Sequence, residues 1–203
     1  MRNGRWRSSL TAVALATLFL AFAYANYLRW QKTGHPVGLG AVFLEGMTAL
    51  LFVVRRPPEE TSSRSVAWLS APVGAFAMLL ARPVAHPDSG PLWLFEALQL
   101  AGFALAIAGL GFLGRSFGVV AALRRIKTSG LYGIVRHPIY SAYLLAYAGY
   151  ACENPSARNL MLLAVGSVAQ IIRIAEEERV LAHDPEYRSY RVHVRYRLIP
   201  FVY

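Results

Sequence analysis

Six apolar runs, separated by short polar gaps, organise this chain. Runs at 10–28, 37–54, 66–81 and 92–114 each reach, or nearly reach, the roughly 20 mainly apolar residues that a bilayer-spanning helix needs. Runs at 139–152 and 160–172 are shorter, and read as tilted helices or as two limbs of a hairpin inside a bundle. The pattern predicts an all-α integral membrane protein with about five to six transmembrane segments, the last two a helical hairpin. Little chain remains outside the runs, so one membrane domain is expected across 1–203.

The gaps change the picture by their charge. The chain carries 21 Lys and Arg against 11 Asp and Glu, a formal net charge of +10. Only 16% of its residues are charged, against about 25% in ordinary soluble domains. The cations are spread between apolar runs rather than gathered on one basic face, which argues against nucleic acid as the partner. Arg2, Arg5 and Arg7 precede the first run, Arg55, Arg56 and Arg64 follow the second, and Arg115, Arg124, Arg125, Lys127 and Arg136 follow the fourth. The alternate gaps are poorer in cations. The positive-inside rule then predicts both termini in the cytoplasm. The first 26 residues imitate a signal peptide, with a basic start, an apolar stretch and Ala23-Tyr24-Ala25. Because further runs follow, this segment reads as a retained first transmembrane helix.

Cys152 is the sole cysteine, and the five histidines have no metal-ligand spacing. No metal is expected. Glu45 sits inside the second run, where a carboxylate is costly unless it faces the bundle and finds a partner. The 86–91 stretch, HPDSGP, reads as a turn cluster.

The second half holds the candidate chemistry. Between 115 and 137 lies a mixed connector too long to be an idle loop. Pro138 suits the first position of a helix, which places His137 near its N-cap and Tyr140 on the same side of the first turn. Arg136 stands beside them. Near the end of the sixth run, QIIRIAEEERV carries Arg173 and Glu177 four apart on one helix face. If the last two runs form a hairpin, all five side chains lie at one level of the membrane surface. A mixed-charge cluster there fits a zwitterionic or cationic ligand.

TSGLY (128–132), RHPIY (136–140), RIAEEE (173–178), EYRSY (186–190) and the closing IPF (199–201), in this order, resemble the integral-membrane methyltransferases typified by isoprenylcysteine carboxyl methyltransferase, with phospholipid N-methyltransferases as relatives. The resemblance covers roughly 92–201. The first three runs show no useful resemblance, and their hydropathy alone gives the N-terminal transmembrane helices expected over 1–91; the resemblance implies a catalytic core over 92–203, with a cytoplasmic S-adenosylmethionine pocket built by the C-terminal half. Carried over by position, Arg124, Arg125, Ile126 and Lys127 line the cofactor through their backbone. Tyr132, Arg136, His137, Pro138, Ile139 and Tyr140 complete the pocket. Glu177 falls on the family's cofactor-binding glutamate, and Arg173 on the arginine near the acceptor. Arg173 and Tyr140 are thus the expected catalytic residues. The implied acceptor is lipophilic, most directly a carboxylate of isoprenylcysteine type, with a phospholipid amine as the alternative. An amine or thiol acceptor would need a base, for which His137 and Tyr140 are the candidates. Three departures bear on the acceptor: Ala142 stands where the family often has Gly, His183-Asp184-Pro185 stands where many members have a Phe-Gly pair, and 124–127 is more basic than usual. The composition suggests a bacterial inner membrane. Two rival readings remain: an NADPH-dependent membrane reductase of similar layout, for which 124–127 would supply the phosphate contacts, and a non-catalytic scaffold of the same fold.

Overall fold

The structure, a computed structural model, describes residues 2–84 and 92–202, with side chains from residue 10 onward. The turn cluster expected at 86–91 lies outside the described residues. Among the described residues, seven α-helices run in order: α1 (Arg2–Thr33), α2 (Pro36–Val54), α3 (Ser65–Phe76), α4 (Leu92–Leu113), α5 (Pro138–Glu153), α6 (Ala157–Leu181) and α7 (Pro185–His193). Among the described residues, four helices are long and apolar enough to cross a membrane: 10–33, 36–54, 92–116 and 157–181. The third run forms α3 and a following 3₁₀ turn, Ala77–Leu80, and the fifth forms the 16-residue α5; both are shorter. Many large apolar side chains face outward, among them Phe43, Leu50, Leu69 and Trp93, as a lipid-facing surface requires.

α1 and α2 form an antiparallel pair turned by Gly34, whose φ of +68° a side chain would strain. Phe19 meets Phe52 at 5.6 Å between ring centroids, and Asn26 Nδ2 donates to both Glu45 carboxylate oxygens at 3.1 and 3.2 Å. Glu45 therefore has the bundle-facing partner that its position demands.

α4 and α5 pack most closely of the later helices, and small residues make this possible. A Cβ at Gly102 would lie 2.7 Å from the Ala142 carbonyl oxygen and the Ala146 nitrogen. Neither backbone atom can move without parting the helices. Gly102→Ala is expected to cost about 1–3 kcal/mol by overpacking, measured as a lowered melting temperature in detergent; an unchanged value would show that this contact is looser than described.

The sixth run differs from its sequence outline. α6 is one continuous 25-residue helix, begun by Ser156, whose hydroxyl accepts from the Asn159 amide at 3.1 Å. Glu176, Glu177 and Glu178 lie within its last two turns rather than beyond its end. The helix persists because the charges find partners, so the apolar run of 160–172 understates its length. The expected α5–α6 hairpin has its tight turn at 154–156, but its limbs choose different partners. α5 lies along α4, while α6 lies along α3, where Gln170 Nε2 donates to the Gly74 carbonyl at 3.1 Å.

The long connector is ordered by the loop after α2. β1 (Glu60–Thr61) and β2 (Ala122–Leu123) pair antiparallel, Glu60 opposite Leu123 and Thr61 opposite Ala122. The Arg56 amide adds a bond to the Arg115 carbonyl at 2.8 Å. The segment between α2 and α3 thus clamps the connector across the ends of α2, α4 and α6.

Candidate active site

Where α5 begins and α6 ends, the connector closes a cavity of about 800 Å³, counting its open mouth. Burial aims the groups into it. Pro138 opens α5 with His137 at its N-cap, as the sequence predicts, and the His137 and Tyr140 rings meet edge to face at 5.6 Å between centroids. Tyr132 enters from the 3₁₀ turn Gly130–Gly133. Gly130 holds that turn at a φ of +63°, and a Cβ there would fall 2.3 Å from the Phe112 ring. Gly130→Ala is expected to destabilise the turn by about 1–2 kcal/mol from the backbone alone, read as faster amide exchange at 130–133; exchange as slow as in the parent would contradict it.

The three consecutive glutamates point three ways. Glu177 faces the cavity, and the Tyr140 hydroxyl donates to its Oε2 at 2.7 Å. Glu176 turns toward Arg64 and Arg179. Glu178 turns toward the C-terminal segment and gathers two guanidinium groups and an imidazole. Arg136 Nε donates to its Oε1 at 2.7 Å, His137 Nε2 lies 3.2 Å from the same oxygen, and Arg197 Nε donates to Oε2 at 3.0 Å. Arg136 also donates to the Val194 and Arg195 carbonyls, and the amides of Arg136 and His137 bond the Tyr196 and Arg197 carbonyls. Arg136 and His137 therefore line the cavity while spending much of their hydrogen bonding on anchoring the tail.

One turn before Glu177, Arg173 lies across the Tyr140 ring, its guanidinium 5.1 Å from the centroid. Its terminal nitrogens bond Gln170 Oε1 and the Val119 carbonyl, and its stem passes Gly74, where a Cβ would sit 3.0 Å from Cδ. The first half of the chain is thus part of the site wall. Arg173 Nε is buried without a partner, and so is the Tyr187 hydroxyl on the opposite wall. Burial and Glu178 raise the Tyr187 phenol well above its ordinary range, so it remains a donor. Tyr132 is raised by burial and by Glu177, and its carbonyl accepts the Tyr190 hydroxyl at 2.6 Å.

Of the residues singled out from sequence, Arg124, Arg125, Ile126, Lys127, Tyr132, Arg136, His137, Ile139, Tyr140, Arg173 and Glu177 all line this cavity. Pro138 does not; its ring starts the helix behind the wall. Sequence reasoning left Phe117, Gly118, Tyr143, Tyr187 and Tyr190 unassigned, although all five line it too. Tyr143 had a signal, since it follows Tyr140 at i+3, and Tyr187 and Tyr190 lie inside the EYRSY motif. The departure at 183–185 proves to be a helix start: Asp184 caps the Glu186 amide at 2.7 Å, Pro185 opens α7, and α7 delivers both tyrosines. Among the described residues, no His, Cys, Asp or Glu cluster is arranged to hold a metal ion.

A cavity with one free-facing carboxylate, a guanidinium one helical turn away and two unpartnered buried donors suits a ligand with both charges. Residues 96–184 match the phospholipid methyltransferase family. The matched segment runs from early α4 to the cap of α7 and holds the cavity lining named here except Tyr187 and Tyr190. Over 86 residues the chain is 38% identical to methanethiol S-methyltransferase 1 of Bradyrhizobium diazoefficiens, a stretch that is 41% of this chain and 29% of that protein. The chain therefore matches under a third of the length of that curated relative. No solved structure matches. With the four apolar helices, the phospholipid methyltransferase match supports an integral-membrane methyltransferase.

Proposed function

We propose that this chain is an S-adenosylmethionine-dependent methyltransferase whose lipophilic acceptor reaches the cavity from the bilayer. The observation that carries this reading is the placement of Glu177 and Arg173, opposite charges one turn apart on α6, in one cavity with the unpaired Arg173 Nε and Tyr187 hydroxyl. The donor set fits the cofactor: a carboxylate for its ammonium group, and phenol donors and a connector backbone for its polar atoms. When bound, S-adenosylmethionine supplies a methyl group on a sulfonium, already a good leaving group.

The chain's own work is then placement and dryness. Tyr140 fixes the Glu177 carboxylate by its 2.7 Å hydrogen bond. Arg173, held by Gln170 and Val119, keeps Nε free for an anionic acceptor, most directly a carboxylate of isoprenylcysteine type. Holding both partners in line supplies up to ~7–11 kcal/mol of such a barrier, and apolar walls favour the neutralisation of opposite charges. The half over 92–203 carries these groups as the catalytic core, and the helices over 1–91 brace it through Gly74 and β1. The cation-rich gaps favour the cytoplasmic face for the cavity end, and the composition favours a bacterial inner membrane.

The matched family and the S-methyltransferase relative favour a second reading of the acceptor, as a phospholipid amine or a thiol. The acceptor's proton must then leave. His137 is already bonded to Glu178, so Tyr140, relayed to Glu177, is the better-placed acceptor of that proton.

Transfer of a labelled methyl group from S-adenosylmethionine tests the reading, with a prenylcysteine carboxylate, phosphatidylethanolamine and an alkyl thiol offered in parallel. Arg173→Ala is expected to lower turnover of the carboxylate at least ~100-fold, in line with loss of one oriented charged donor, while cofactor affinity changes little. Loss of cofactor binding with acceptor affinity intact would reverse the assigned roles. No transfer to any of the three would remove the proposal.

A further inference from the structure

Among the described residues, four arginines around Arg124 at this end of the fold form no salt bridge. Arg64, Arg136, Arg179 and Arg197 form the arginine salt bridges found among the described residues. Arg55, Arg56, Arg115 and Arg124 form none, although the fold draws them together. The Arg56 amide bonds the Arg115 carbonyl, Arg115 Nε donates to the Val54 carbonyl at 2.9 Å, and Arg124 Nε donates to the Arg56 carbonyl at 3.2 Å. These contacts sit where α2 and α4 end, at the boundary of the apolar spans.

Arg124 is the built part of this cluster. It is only 9% exposed, and its guanidinium lies over bare backbone at Gly118, where a Cβ would come within 2.5 Å of Nη1. Burial disfavours its charge, and Arg55 disfavours it further; Glu177, the acid that acts on it, is already bonded to Tyr140. Arg55 rests on the Phe52 ring, its guanidinium 5.2 Å from the centroid. An arginine stays charged under such conditions. Like charges held together by backbone bonds, one of them buried, call for an anion from outside the chain.

We propose that Arg55, Arg115 and Arg124 form a subsite for the phosphate of a net-anionic phospholipid headgroup, seated at the membrane boundary beside the cavity mouth. Three features favour a bilayer lipid. The arginines stand at the ends of two apolar helices, level with where headgroups lie. Guanidinium forks match phosphate oxygens in pairs. Basic pockets between helix ends are the usual receptors for anionic headgroups. Arg124 lines the same cavity as Glu177 and Arg173, while Arg55 and Arg115 lie outside its lining, and occupancy of the subsite requires neither methyl donor nor acceptor.

The test is native mass spectrometry of the full-length protein in detergent, given equal amounts of phosphatidylglycerol and phosphatidylcholine. Preferential retention of one phosphatidylglycerol is expected, weakened roughly fivefold by Arg55→Gln and again by Arg124→Gln, the factor for one guanidinium near a lipid headgroup. If Arg124→Gln fails to fold, Arg55→Gln alone decides, since Arg55 lies at the edge of the fold. Equal retention by parent and Arg55→Gln overturns the proposal. So does displacement of the lipid by inorganic phosphate but not by chloride at the same ionic strength, because the subsite would then belong to free phosphate.

Discussion

Glu177→Gln is expected to weaken S-adenosylmethionine binding by roughly 10- to 150-fold, the span for losing a hydrogen bond to a charged group. The substitution preserves shape and removes charge. Tyr140 keeps an oxygen to donate to, so the wall should stay in place; what disappears is the negative charge that faces the cavity. Glu176 and Glu178 cannot replace it, because the helix turns them away and each is held by arginines of its own. Calorimetry on the detergent-purified variant checks this, with the melting temperature as a control for folding. An affinity equal to the parent's would mean that the ammonium group is held elsewhere.

Glu178→Gln is expected to act through the fold instead, and to cost about 3–5 kcal/mol, as when one partner of a buried ion pair is removed. Arg136 and Glu178 are both nearly buried, and the same carboxylate meets His137 and Arg197. Neutralising it leaves the Arg136 guanidinium buried with only the Val194 and Arg195 carbonyls. The tail is otherwise tied by the Tyr196 and Arg197 carbonyls and by Ser141, whose hydroxyl donates to the Leu198 carbonyl at 2.6 Å. The expected result is a lower melting temperature together with protease sensitivity after 193. A variant as stable and as protease-resistant as the parent would show that the backbone bonds suffice to hold the tail.

The six runs, the Pro138 start of α5 and the pairing of Arg173 with Glu177 were legible because each rests on short-range periodicity. So was the meeting of His137 with Tyr140, one turn apart on the same side of a helix. Partner choice was not legible. The i+4 spacing from Arg173 singled out Glu177 on its helix face, but nothing in EEE says where Glu176 and Glu178 turn, since consecutive residues on a helix differ by about 100° and their partners come largely from distant segments. The length of α6 was hidden for the same reason: charges that look solvated in sequence are neutralised by Arg64, Arg136 and Arg197 from distant segments. The role of 55–64 was hidden because a two-residue strand has no pattern to read, and it forms only when β2 lies beside it. Glu45 carried half a signal: its cost in the membrane required a partner, and the identity of that partner, Asn26, depended on how α1 packs.

The most direct test of the account is calorimetry of the unmodified protein in detergent with S-adenosylmethionine and, separately, with NADPH. The account predicts one S-adenosylmethionine bound per chain and no NADPH. Binding of NADPH without S-adenosylmethionine would contradict it, and would turn the cations at 124–127 into contacts for a nucleotide phosphate.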